Sequence, residues 1–127
     1  MTPVIRSLGL GLVLAAASVS LAAAQGGSSR YDGQYVGALT LDKTIEGDCE
    51  QPPPGAQYPL KIASGTVSFD YLPRFGTTLT GTIDAAGNFR ASAQIAHGTV
   101  RMTGGIQGRN VTAQLRSPSC LYTFRTE

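Results

Sequence analysis

Residues 79–115 read LTGTIDAAGNFRASAQIAHGTVRMTGGIQGRNVTAQL, and the spacing inside this stretch decides the fold class. Leu79 and Ile83 share one parity. So do Phe89, Ala91, Ala93 and Ile95, then Val100, Met102 and Ile106, then Val111, Ala113 and Leu115. A period of two is the mark of strands that bury one face, since successive side chains point to opposite sides of the pleat. The breaks between these runs carry turn chemistry. Asp84-Ala-Ala-Gly87-Asn88 suits a type I turn followed by a left-handed Gly87. Gly108-Arg109 suits a two-residue hairpin turn with glycine at its first central position, and Ala96-His97-Gly98-Thr99 is a third tight connection. Thr80-Gly-Thr-Ile83-Asp with Asn88-Phe-Arg-Ala91 is echoed by Thr103-Gly-Gly-Ile106-Gln with Asn110-Val-Thr-Ala113, so two similar hairpins follow one another.

The same pattern continues outward in both directions. Upstream, Tyr31, Tyr35, Leu39 and Leu41 mark a first strand, Leu60 and Ile62 a second, and Val67, Phe69 and Tyr71 a third, ended by Pro73. Downstream, Tyr122 and Phe124 mark the eighth. Between the first two lies a long irregular connection, residues 44–59. Its Pro52-Pro53-Pro54-Gly55 run reads as a stiff spacer that no central ladder accepts. The expectation is an all-β single domain, an antiparallel meander of about eight strands, closed as a barrel or folded as a two-layer sandwich.

The N-terminus has a different character. Arg6 precedes the apolar run 8–17, and small residues lead to Ala22-Ala23-Ala24 before Gln25. That is the order of a secretory signal peptide, expected over residues 1–24 and not as a permanent membrane anchor. Residues 25–30 read as a flexible leader and 31–127 as the domain. Removing 24 of 127 residues leaves 103, and losing Arg6 lowers the formal charge from +2 to +1. A balance this small does not fit a nucleic-acid partner. The expected location is periplasmic or secreted. In such an oxidising compartment the two cysteines, Cys49 and Cys120, pair as one disulfide. Cys120 shares the inward parity of Tyr122 and Phe124, so the bridge is expected to pin the long connection beside the last strand and bring the first and last strands together.

Candidate chemistry is sparse. His97, the sole histidine, falls in a turn with no nucleophile or orienting carboxylate in a recognisable pattern. Asp42, Glu46, Asp48 and Glu50 crowd one connection, but their spacing lacks a calcium-loop pattern and reads as a solvated acidic loop. No metal, cofactor or catalytic residue is expected. Asn110-Val-Thr112 matches a glycosylation acceptor. Arg90, Arg101, Arg116 and Arg125 fall on the outward parity of four successive strands, a candidate face for carboxylates, sulfates or phosphates. On the inward parity Gly33, Gly37, Gly81, Gly104, Ala91, Ala93 and Ala113 are small. They either leave a ligand cavity flanked by Tyr31, Tyr35, Tyr71 and Tyr122, or let aromatic rings cross and fill a narrow core.

The stretch Tyr31-Asp32-Gly33-Gln34-Tyr35-Val36-Gly37, an early Cys49, the Thr80-Gly-Thr-Ile-Asp84 hairpin with Gly87, and the closing Cys120-Leu-Tyr-Thr-Phe124 resemble a group of small exported bacterial β-proteins of unknown function. The resemblance spans the domain; it implies an envelope location and the disulfide, and supplies no catalytic residues. Small periplasmic inhibitors of proteases and lysozymes are a looser analogy, by fold class alone. The resulting expectation is an exported, non-enzymatic binding or structural domain of the bacterial envelope that engages a protein or an anionic polymer. A small-ligand-binding barrel and a periplasmic hydrolase inhibitor are the alternatives.

Overall fold

The computed structural model describes residues 27–73 and 76–126, and the expected signal peptide lies outside them. The strands are β1 (Gly33–Thr44), β2 (Tyr58–Ala63), β3 (Thr66–Tyr71), β4 (Thr77–Ile83), β5 (Asn88–Ile95), β6 (Gly98–Gln107), β7 (Asn110–Arg116) and β8 (Cys120–Thr126). Each pairs antiparallel with the next, and β8 returns to β1, so the sheet closes as a barrel and not as a sandwich. Closure leaves no strand edge open for another chain to pair with.

The period-two pattern becomes the inside and outside of this barrel. Leu60, Val67, Phe69, Leu79, Val100, Met102, Leu115, Tyr122 and Phe124 are all at most 1% exposed, and they meet in one core. Phe69 and Phe124 cross edge to face, with centroids 5.3 Å apart and planes at 73°. Small residues make room for them. Gly104 lies opposite both Phe89 and Ala113, and Gly81 lies opposite Val67 and Ala91. A Cβ at Gly81 would stand 1.8 Å from the Arg90 carbonyl oxygen, so the two strands approach there as closely as only glycine permits. Large rings and small residues thus face one another across the narrow barrel interior. Gly33 is not an interior residue at all: it is exposed, at φ +147°, where the chain enters β1.

The two ends are shut differently. At the base, Gly27–Asp32 docks across the strand openings. The Ser28 amide donates to the Ile83 carbonyl at 2.8 Å. A single 3-10 turn, Ser29–Tyr31, follows. The Tyr31 hydroxyl donates to the Ala85 carbonyl at 3.2 Å, and the Tyr35 hydroxyl donates to the Tyr31 carbonyl at 2.6 Å. The Asp32 carboxylate accepts from the Ser64 and Gly65 amides at 2.8 and 3.1 Å, which holds the positive-φ turn between β2 and β3. At the opposite end, the mouth, residues 45–57 fold over the opening. The Cys49–Cys120 bridge holds them, and the Ile45 and Glu46 amides donate to the Ser119 carbonyl. A bulge between Leu41 and Lys43 turns β1 into this loop, and the Thr123 hydroxyl donates to the Asp42 carboxylate there.

Candidate functional site

Arg90, Arg101 and Arg116 stand exposed on the outer parity of β5, β6 and β7. The register sets Arg101 directly opposite Arg116, with Ser92 opposite Arg101 on its other side. Arg90 faces Thr103, two residues along β6 from Arg101, which is the diagonal position. Opposed side chains in an antiparallel pair leave the sheet about 5 Å apart and diagonal ones about 7–8 Å. These three guanidinium groups therefore form one cluster. Arg125 stands apart from it. It faces Thr112, four residues along β7 from Arg116, about 13 Å by strand geometry. The expected four-arginine face thus resolves into a trio that runs from Arg101 and Arg116 on the mouth side to Arg90 on the base side, and a separate Arg125.

Arg101 and Arg116 have no acidic neighbour in the clefts they line, whereas Arg90 shares a polar cleft with Asp84, diagonally across from it at the exit of β4. Like charges directly opposed across a sheet are destabilising, and among the described residues the side chains of Arg101 and Arg116 make no hydrogen bond or ion pair. Residues 85–126 contain Arg90, Arg101, Arg109, Arg116 and Arg125 and not one Asp or Glu. Seven of the eight acidic residues, Asp32, Asp42, Glu46, Asp48, Glu50, Asp70 and Asp84, precede them, and Glu127 follows. This division of charge between the two halves of the chain is legible in the sequence, and reading strand by strand overlooks it. Arg109, in the turn after β6, is placed over the Tyr35 ring at 5.6 Å and belongs to the base.

Hydroxyls surround the trio. A shallow outer cleft of about 350 Å³ is walled by Arg90, Arg101, Thr80, Thr82, Ser92 and Thr103, with the backbone of Gly81 and Ala91 beneath. A second, of about 310 Å³, lies between Thr99, Arg101, Arg116 and Pro118. Guanidinium forks with hydroxyl donors between them can hold carboxylate, sulfate or phosphate oxygens with charge-assisted hydrogen bonds. The outer positions of β5, β6 and β7 are Asn, Arg, Ser, Gln, Gly, Thr and Arg, with no aromatic ring on which a base could stack.

The four tyrosines expected to flank a cavity are not brought together. Tyr31 and Tyr35 close the base, as above, whereas Tyr71 and Tyr122 meet edge to face at the mouth, centroids 6.0 Å apart. Tyr58 and Glu50 join the mouth pair, a grouping no sequence spacing announces, because the disulfide carries Glu50 there. The Tyr122 hydroxyl donates to the Glu50 carbonyl at 2.7 Å. Burial, followed by the charges of Tyr71, Glu50 and Tyr58, pushes the Tyr122 phenol up to about 12. Burial and then Glu50 also raise Tyr58. Burial raises Tyr71 most, with Glu50 adding to it, and a hydrogen bond with Ser117 pulls part of the way back. All three rings are neutral hydrogen-bonding groups at ordinary pH.

Beside this cluster opens a cleft of about 510 Å³. Tyr71, Ile95, Ala96 and Pro118 give it apolar walls, and Glu46 and His97 stand at its exposed rim. His97 lies in the turn between β5 and β6, as its sequence context predicts. Asp42, Glu46 and Asp48 are exposed, and Glu50 is half-buried. Among the described residues no three His, Cys, Asp or Glu side chains are grouped to hold a metal ion. Asn110 and Thr112 are exposed at the start of β7. No protein-family model, curated protein or solved structure matches this chain.

Proposed function

We propose that this chain is an exported, non-enzymatic binding domain of the bacterial envelope that engages an anionic partner through the outer wall of β5, β6 and β7. The observation that carries this reading is the Arg101–Arg116 pair, opposed across the sheet with Arg90 on the diagonal and no carboxylate in residues 85–126. Such a pair costs stability when bare, and an anion shared between the two forks removes that cost. Barrel closure narrows the mode of binding. With no free edge, a partner cannot add a strand and must be held by side chains. Export is supported by the charged, apolar and small-residue order of residues 1–24 and by the disulfide. A ligand enclosed within the barrel has less support, because Phe69, Met102, Tyr122 and Phe124 occupy the interior.

The test is binding of the disulfide-bonded protein to dextran sulfate and to polyglutamate, followed by calorimetry at low and at physiological salt. Wild-type protein binds at least one of them, more weakly as salt screens the contact. Arg101→Glu with Arg116→Glu lowers that affinity at least tenfold. Arg116→Glu alone also weakens binding, yet it raises thermal stability slightly, by about 0.2–1 kcal/mol, because it turns a repelling cross-strand pair into an attracting one. Failure of the wild type to bind either polymer, or equal binding by the double variant, overturns the proposal.

A further inference from the structure

The clefts on this molecule are not isolated from one another. The mouth cleft shares Ser117 and Pro118 with the cleft between Arg101 and Arg116. That cleft shares Arg101 with the one bounded by Arg90. These shared walls set the three clefts side by side in one row, which starts against Tyr71 and Ile95, passes Pro118, and runs down the outer wall to Arg90. Pro118 stands between its two parts, close against Gly98: a Cβ there, at φ +141°, would come within 2.7 Å of the proline ring. From Ile95 to Arg90 along β5 is five residues, about 17 Å.

The two parts of the row have opposite chemistry. Below Pro118 the lining is arginine and hydroxyl. Above it the walls are the Tyr71 ring, Ile95, Ala96 and the Pro118 ring, and Glu46 at the rim opposes further negative charge. A uniform polyanion satisfies the lower part and leaves the upper part empty or repelling. A chain that is acidic for four or five residues and then apolar satisfies both.

Resting on the reading that the arginine wall binds anions, we propose that its partner is an extended acidic peptide segment of another protein. Its Asp or Glu side chains lie along Arg90, Arg101 and Arg116, and an apolar side chain at one end seats in the mouth cleft. The acidic stretch supplies charge complementarity at Arg101 and Arg116, whose clefts hold no carboxylate, and the apolar residue fixes register by filling a pocket of definite place. About 17 Å of extended chain corresponds to five or six residues.

Fluorescence anisotropy with labelled six-residue peptides tests this. The probes carry the same four Glu residues with Leu at the N-terminal end, Leu at the C-terminal end, or Ala at both, and dextran sulfate serves as competitor. One of the two Leu probes binds at least tenfold tighter than the Ala probe, the fold-change expected from burying a leucine. Ala96→Leu, which fills the cleft with a neutral side chain at an exposed turn position, collapses that ratio towards one. Equal binding of all three peptides overturns the peptide proposal and leaves the anion-binding wall intact. Binding of dextran sulfate with no binding of any peptide does the same, and makes the partner a polymer. If the Leu ratio persists in Ala96→Leu, the cleft is not the anchor site and the proposal falls. No binding of any probe overturns the wall reading and this one with it.

Discussion

The base and the mouth of this barrel solve one problem with different chemistry. At the base the connections are short turns, and a six-residue stretch beginning at Gly27 seals them with backbone, Tyr31 and Asp32 hydrogen bonds. At the mouth a loop of more than ten residues crosses the opening, too long to be fixed by turn geometry, and a covalent bridge from Cys49 to Cys120 fixes it instead. The base has its glycine turns fitted closely against neighbouring backbone; a Cβ at Gly27 or Gly65 would overlap it. The mouth keeps an apolar cleft. That cleft is bounded mainly by the turns after β5 and β7, with Glu46 of the long segment at its rim, whereas the cleft at the base, against Asp84, Asn88 and Arg90, is lined chiefly by polar groups.

The strongest way to break this comparison is to remove the bridge. It spans 71 residues of sequence, for which the chain-entropy model gives about 4–5 kcal/mol. Cys49→Ala with Cys120→Ala is expected to lower the unfolding free energy by about that amount, measured by urea titration. Hydrogen exchange at neutral pH is expected to separate the ends. Amides of Ile45 and Glu46, which donate to Ser119, lose far more protection than those of Ser64 and Gly65. Equal loss at both ends would mean that the barrel opens only as a whole, and that the ends are not independent.

The counterpart at the base is Asp32→Ala. It strips the acceptor from two backbone donors, one of them on the buried Gly65. Hydrogen bonds to a charged group are worth about 1.5–3 kcal/mol each, and those exposed on one side fall at the low end. A total loss of about 2 kcal/mol is expected, with Asp32→Asn losing less because one oxygen acceptor remains. The mouth cleft is expected to keep its affinity for ligand in both variants, so a parallel loss of binding would couple the ends.

The contrast also marks what could be read in advance. The eight strands and their inward residues follow from parity and turn residues, since both are local properties of the chain; that the first and last strands lie together follows instead from the Cys49–Cys120 pairing. Whether eight strands make a barrel or a sandwich depends on register. Register here carries a bulge after Leu41, and the backbones approach closely at Gly81 and Gly104; parity reveals neither. The arginine trio was half legible. Outward parity marks all four arginines, but only the pairings of Arg101 with Arg116 and of Arg125 with Thr112 separate the cluster from the outlier. The tyrosines were misgrouped for a related reason. Tyr31 and Tyr71 are alike in type, and their distance along the barrel axis is a property of strand direction rather than of composition. Asp32, whose carboxylate holds a turn more than thirty residues away, gave no local sign at all.

The smallest expected effect tests whether the mouth cluster is a buried polar unit or merely aromatic packing. Tyr122 is fully buried, and its hydroxyl donates to the Glu50 carbonyl. Tyr122→Phe keeps the ring and its edge contact with Tyr71 and removes one hydrogen bond, at a cost of about 1 kcal/mol near neutral pH. The pH dependence discriminates further. In the folded protein the phenol titrates at about 12, against about 10 for a free tyrosine. Between those values the unfolded chain gives up its proton while the folded one keeps it. The unfolded state therefore binds fewer protons, and stability falls as pH rises. Below about pH 10 both states are protonated and the contribution is fully present; as pH rises towards 12 it is lost. Tyr58 and Tyr71, raised in the same direction, steepen the fall. Urea midpoints of wild type and Tyr122→Phe should therefore converge between pH 10 and 12. If the gap stays constant over that range, the Tyr122 hydroxyl is not held neutral by its surroundings, and the mouth differs from the base by its bridge and its cleft alone.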